Sequence, residues 1–204
     1  PEVERGRVTL MVAADGVLRR FDRPDYAALS RLSLADAMDG PTVTAPQYFV
    51  CTNGQRDLCC ARFGLPIYAA LRERVRDRVW QTTHVGGHRF APNILTLPQG
   101  ALYGRVQSGD LDALLDATEH SRLAARWLRG RARYAPPVQA AEAALAARGI
   151  DTEAAMSCVE DGDAFRVSFG GNAVTVRSGA AYDVFASCGD AQAKPVTPWL
   201  VDVC

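Results

Sequence analysis

No apolar run in this 204-residue chain reaches the length of a bilayer crossing; stretches such as VTLMVAA and YAALSRLSL are too short or too interrupted. The N-terminus shows no signal-peptide pattern, so a cytoplasmic protein is the expectation. Neither sign of charge dominates. The 23 Lys plus Arg balance 23 Asp plus Glu, which removes the electrostatic case for nucleic acid or an anionic membrane as partner. With 48% hydrophobic and 23% charged residues, the composition is far from that of disordered or collagenous chains. No internal repeat or low-complexity tract interrupts it. What remains is a globular chain with room for one large domain or two small ones, able to bury a core without staples. It opens on Pro1 rather than Met, and a strand-like run follows almost at once, which leaves room for an upstream segment.

Histidine occurs three times and cysteine six. Six cysteines could form three disulfides, but a reducing cytosol disfavours that use and raises metal or redox chemistry instead. Cys51, Cys59 and Cys60 fall within ten residues, whereas Cys158, Cys188 and Cys204 are scattered through the last quarter. Cys158 and Cys188 are expected to pack among strands, and Cys204 to be uninvolved. No C-x-x-C motif is present. That weakens a thiol-disulfide oxidoreductase reading, although Cys51 and Cys60 could still serve as its pair.

Apolar periodicity predicts a strand over Val8 to Ala13 with an Asp15-Gly16 turn, then a helix over Asp25 to Met38 capped by Asp25. Tyr48 to Cys51 reads as a short buried strand. A helix follows from near Asp57, which could cap it, toward Asp77, with a kink at Pro66. Trp80 to Thr83 is a strand that opens into His84-Val85-Gly86-Gly87-His88. Asn93 to Leu97 and Leu102 to Val106 flank Pro98-Gln99-Gly100 as a hairpin. Asp110 to Arg129 reads as one long helix, with Leu111, Leu114, Leu115, Leu123 and Trp127 on its apolar stripe. A loop holding Pro136 and Pro137 leads to an Ala-rich helix ending near Arg148-Gly149. Beyond it, Phe165, Val167 and Phe169 alternate with polar residues, as do Val174 and Val176 after a Gly170-Gly171-Asn172 turn, which predicts antiparallel strands. The expected class is α/β (α+β): a mixed sheet flanked by helices on both faces, with a C-terminal antiparallel strand-rich extension. The expected division is residues 1–149 and 150–204.

The chemistry concentrates at loop mouths. Cys51 ends a strand, Cys60 lies nine positions later near a helix start, and His84 and His88 bracket a glycine pair after another strand. Two thiolates and two imidazoles suit either zinc or an iron-sulfur cluster. Structural zinc usually draws both cysteines from one tight C-x2-4-C knuckle, whereas eight residues separate Cys51 from Cys60, and a larger loop fits a larger object. Gly86 and Gly87 let the backbone approach closely and could donate hydrogen bonds to bridging sulfides, while Arg56 and Arg89 could compensate nearby charge. Residue type and spacing leave the alternative open that these are unrelated core and loop residues. Trp80 and Phe90 read as core packing and His120 as a solvated surface residue.

The segments FVCTNGQRDLCCARFG and VWQTTHVGGHRFAPNILTLPQGALYGRV resemble the sucrase/ferredoxin-like family. The match is close over about Tyr48 to Val106 (48–106) and looser through RYAPPVQAAEAAL to Gly149. The resemblance implies a thioredoxin-like fold and a 2Fe-2S cluster held by the first and last Cys of the C-x8-C unit and both His of H-x-G-G-H. Those are Cys51, Cys60, His84 and His88. In the family pattern the ligand follows Arg-Asp by three positions, which selects Cys60 and leaves Cys59 as a neighbour. Adjacent helical residues also point about 100° apart, so both are not expected to face one iron. Asn53 departs from the C-T-H-G sequence of relatives and leaves one imidazole fewer.

The implied function is electron transfer, by a carrier more than a stand-alone enzyme, with a redox protein as donor or acceptor. Nothing suggests sugar cleavage. Neutral imidazoles in place of two thiolates favour reduction, the lever that lifts Rieske potentials to about −150 to +300 mV against about −400 mV for plant-type ferredoxins. A potential between those classes or in the Rieske range is expected, falling with rising pH. Ala91-Pro92 stands where thioredoxin-like folds often hold a cis proline. The rival functions are a structural zinc module on the same ligands and the thiol-disulfide oxidoreductase.

Overall fold

The computed structural model describes residues 7–55 and 58–202. It begins with a hairpin, β1 (Val8–Ala14) and β2 (Val17–Arg23), paired antiparallel from Val8 opposite Arg23 to Ala14 opposite Val17. Asp15 and Gly16 between them take φ of 51° and 74°, the two-residue turn that matches the twist of the strands it joins. β2 escapes the sequence reading because Arg19, Arg20, Asp22 and Arg23 dilute its apolar residues.

Two short helices follow, α1 (Tyr26–Leu29), capped by Asp25, and α2 (Leu34–Met38), capped by Ser33. The single helix expected over Asp25 to Met38 is therefore broken. Ser33 takes extended backbone and its hydroxyl accepts from the Asp36 N–H while the Asp36 carboxylate accepts from Ser33, a capping box that starts a new helix instead of continuing the old one. β3 (Thr42–Val43) pairs with β2 and completes a three-stranded sheet.

The middle of the chain builds β4 (Gln47–Cys51), α3 (Leu58–Val75), β5 (Val79–Thr82), β6 (Asn93–Leu97), β7 (Ala101–Gly104), α4 (Leu111–Glu119) and β8 (Leu128–Arg131). The strands lie in the order β5-β4-β6-β7-β8, with β4 and β5 parallel and the other neighbours antiparallel. A parallel β-α-β unit, then an antiparallel hairpin and a helix, is thioredoxin-like connectivity with β8 added at one edge. The Ala91-Pro92 peptide before β6 is cis, as is Leu97-Pro98 at the hairpin turn.

Alternation sends Tyr48 and Val50 to one face of the sheet. There, with Val79, Ile94, Ala101 and Tyr103, they meet Ile67, Leu71 and Val75 of α3 and Leu111 and Leu114 of α4. Both helices thus pack on one face, not one on each as the alternating pattern suggested. The segment 83–92 forms the histidine loop. That second face carries the half-buried Phe49–Trp80 stack.

The long helix expected over Asp110 to Arg129 also stops early, at Glu119. Ser121 takes φ 58°, and Leu128–Arg131 becomes an edge strand that pairs with β7. This route delivers the Arg131 guanidinium, 1% exposed, to the Glu142 and Glu153 carboxylates and the Thr152 carbonyl. A helical continuation would leave both that charge and the β7 edge without partners.

α3 runs through Pro66. α5 (Pro136–Ala146) begins on the prolines expected in the loop before it, where a missing N–H costs nothing because it would have had no helical partner. Its Val138, Ala141 and Leu145 pack into a second core with Val167, Phe169, Val174 and Val176. Those four side chains come from the second and third of the C-terminal strands, which are β9 (Met156–Asp161), β10 (Ala164–Phe169), β11 (Asn172–Ser178), β12 (Tyr182–Val184), β13 (Lys194–Val196) and β14 (Trp199–Asp202). Four of these form an antiparallel sheet ordered β14-β11-β10-β9, and β12 pairs with β13. β9 is exposed along its length, so Cys158 faces solvent instead of packing between strands. Cys204 lies outside the described residues. Among the described residues no helix is long and apolar enough to cross a membrane.

Candidate metal centre

The parallel pairing of β4 with β5 sets Cys51 opposite Thr82, so the two strands end side by side and His84 follows two residues later. Cys60 enters from the first turns of α3. The three reach one point from three separate elements: their donor atoms all lie within 4.8 Å of one another, and Cys60 Sγ is 3.8 Å from His84 Nδ1. His88 does not complete that triad in its present position but stacks on His84, ring centroids 3.9 Å apart and planes 11° from parallel. Cys59, on the next face of α3, turns its sulfur away and bonds Cys188. Cys188 was expected among strands; it sits exposed on the loop between β12 and β13 instead.

Two features that sequence patterns do not announce hold this arrangement. Gly64, one turn after Cys60, lies against the end of β4: a Cβ there would overlap the Cys51 carbonyl oxygen. Only a hydrogen at this position lets α3 bring Cys60 up to Cys51. Beneath the histidines, Arg129 Nη1 donates to the Gly86 carbonyl at 3.1 Å and to Asn93 Oδ1 at 2.8 Å, while Asn93 Nδ2 donates to the Gly87 carbonyl at 3.1 Å. Gly86 and Gly87 take φ of 87° and 72°, a left-handed pair that other residues adopt only with strain. At Gly87 a side chain would also run into the Arg129 guanidinium.

The site is polarised. Cys51 and Cys60 are 0% and 1% exposed, whereas His84 and His88 are half-buried. On the histidine side the half-buried Phe90, expected as core, is ringed by the guanidinium groups of Arg89, Arg105 and Arg129, 4.7 to 5.4 Å from its centroid. Burial, and then the charge of Arg89, lower the Arg129 pKa from its usual value. Arg126 lines the adjoining groove with Asp110. Of the expected surrounding residues, Gly86, Gly87 and Arg89 border the site; Arg56 and the capping Asp57 lie outside the described residues. His120 is exposed and bonds the Asp116 carbonyl, as its surface position predicted.

Two buried thiols and a pair of imidazoles form a donor set for borderline and soft metals or an iron-sulfur cluster, and three of the four donors already converge. The residues fit such a group. A profile of sucrase/ferredoxin-like proteins matches residues 9–130. The chain belongs to this family. It is also 31% identical, over 91 residues, to "Altered inheritance of mitochondria protein 32" of Meyerozyma guilliermondii; that match covers 37% of this chain and 30% of the relative. Among solved structures, a thioredoxin-like 2Fe-2S ferredoxin from Aquifex aeolicus aligns with a TM-score of 0.39 and 17% identity over 44% of this chain and 94% of its own. A second structure of that wild-type ferredoxin gives 0.38, 17%, 43% and 98%. In this sucrase/ferredoxin-like chain the motif residues Cys51, Cys60 and His84 converge from β4, α3 and the loop after β5, and His88 stacks on His84.

Proposed function

We propose that this protein is a cytoplasmic electron carrier that holds a 2Fe-2S cluster on Cys51, Cys60, His84 and His88. The observation that carries the reading is the convergence of Cys51, Cys60 and His84 donors from three elements, with His88 stacked beside them. The three donors lie within 4.8 Å of one another, close enough to share one metal group. A bound 2Fe-2S cluster would supply a one-electron couple whose potential neutral imidazole ligation raises.

The chain's own residues divide the remaining work. Buried Cys51 and Cys60 keep water from the thiolate side, where ligation requires that both protons leave. His84 and His88 form the side a partner can approach. Arg129 and Asn93 fix the glycine turn that aims them, which limits reorganisation when charge changes. Arg89, Arg105 and Arg126 offer unlike charge to a redox protein with an acidic face, the partner this surface fits.

One anaerobic visible and EPR spectrum with iron and zinc quantification tests the proposal. About two irons per chain and a visible chromophore are expected. Colourless protein with stoichiometric zinc would overturn it and establish the structural zinc module. His84→Ala should abolish or reshape the spectrum; an unchanged spectrum removes His84 from the ligand set.

A further inference from the structure

The Cys59–Cys188 bond joins residues 129 positions apart, with Cα atoms separated by 5.9 Å, an ordinary distance for a disulfide. Its two ends differ. Cys59 is buried in the first turn of α3, beside Cys60, and Cys188 is exposed. Hydrogen bonds order the loop that presents Cys188. Asp190 accepts from the Ala186 and Ser187 N–H groups and from Lys194 Nζ, the Gly189 N–H donates to Ser187 Oγ, and the Cys188 N–H donates to Cys59 Sγ at 3.2 Å.

We propose that Cys59–Cys188 is a thiol-exchange site: a latch, opened by low-molecular-weight thiols, that fastens the β12–β13 loop onto the helix carrying Cys60. An external thiolate attacks the sulfur of Cys188, the exposed end, in preference to that of buried Cys59. Its attack forms a mixed disulfide at Cys188, breaks the Cys59–Cys188 bond and releases Cys59 as the leaving thiolate, whose charge the N-terminal end of α3 favours. A second thiolate attacks the outer sulfur of the mixed disulfide, releases Cys188 as thiolate and carries off the oxidised thiol dimer. Two external thiols are oxidised, one cystine is reduced, and solvent supplies the two protons. Exposed disulfides are the labile ones, and those of reducing compartments are transient or redox-sensing. The latch chemistry needs no metal; its effect on the neighbouring centre rests on the reading of Cys60 as a ligand.

The test equilibrates the purified full chain in glutathione buffers of increasing ratio, quenches with acid, alkylates and maps the cysteines by mass spectrometry. The reduced-to-bridged ratio of the Cys59–Cys188 pair should rise about tenfold for each tenfold rise in [GSH]²/[GSSG], with glutathione found on Cys188 and not on Cys59 at intermediate ratios. A pair that stays bridged in excess reduced glutathione is structural and overturns the proposal. So does a pair that alkylates fully in the most oxidising buffer. Cys188→Ser, a change at an exposed position, should leave Cys59 alkylatable at every ratio; protection of Cys59 there would show a different partner. Iron content and visible spectrum of the same samples report on the cluster separately, so either conclusion can fail alone.

Discussion

Adding one methyl group at Gly64 sets two effects against each other. In an unobstructed helix interior, Gly→Ala stabilises by about 0.5–1 kcal/mol, because alanine has less freedom to lose on folding. Here the methyl would overlap the Cys51 carbonyl oxygen and come within 3.2 Å of its carbon and 3.6 Å of Thr52 Cγ2. The obstacle is backbone in a central strand, so α3 must retreat by about 1 Å, a strain that costs about 1–3 kcal/mol. The net expectation for Gly64→Ala is a loss of about 1–2 kcal/mol. The same retreat carries Cys60 with it. A shift of about 1 Å is a quarter of the 3.8 Å between Cys60 Sγ and His84 Nδ1, and larger than the ~0.5 Å tolerance of a preorganised site. Urea denaturation gives the stability change, and visible absorbance per chain gives the occupancy, which should fall well below that of the parent. A Gly64→Ala protein that is more stable than the parent and fully coloured would refute the close-approach reasoning.

Arg129→Leu removes the donors to Gly86 and Asn93 and should cost about 2 kcal/mol, with faster bleaching of the chromophore under air; an unchanged bleaching rate would mean the glycine turn holds itself. Tyr103 is buried and its hydroxyl is pushed up to about 12, above the ordinary 10.0; Tyr48 is raised by burial too. Since the folded values are the higher ones, their contribution is intact below pH 10 and fades as pH rises through about 12. Tyrosinate absorbance should therefore show Tyr48 and Tyr103 ionising late, together with unfolding; ionisation of both near pH 10 in folded protein would contradict the burial. Electron exchange with an acidic redox protein should slow as salt rises, and slow about tenfold in the Arg105→Glu, Arg126→Glu double variant at low salt. A rate indifferent to both would move the docking face elsewhere.

What the sequence disclosed about the site was its local part. Cys51, Cys60, His84 and His88 stand within two short segments, and the strand that each histidine or cysteine follows could be read from apolar runs on either side. The thioredoxin-like order was legible for the same reason, since β4, α3, β5 and the β6–β7 hairpin each carry their own periodicity and turn residues. What escaped depended on distant pairing. Arg129 reads as the end of a helix until β8 is seen to pair with β7; only then does it lie under Gly86. Gly64 looks like a weak point in a helix, and its use appears only once α3 is laid against Cys51. Cys59 and Cys188, 129 residues apart, share no motif at all. Helix ends were lost to side-chain capping, by Ser33 in the first case, and to the pull of an unpaired sheet edge in the second.

The uneven burial of the centre has a kinetic consequence. With the thiols sealed behind β4 and α3 and the imidazoles near the surface, an electron carrier built on the proposed centre would exchange electrons chiefly across its histidine face. Donor and acceptor would then compete for the same arginine-lined doorway, each inhibiting the other when in excess, and the protein between them would behave as a shuttle that detaches and turns over, not as a bridge in a fixed relay.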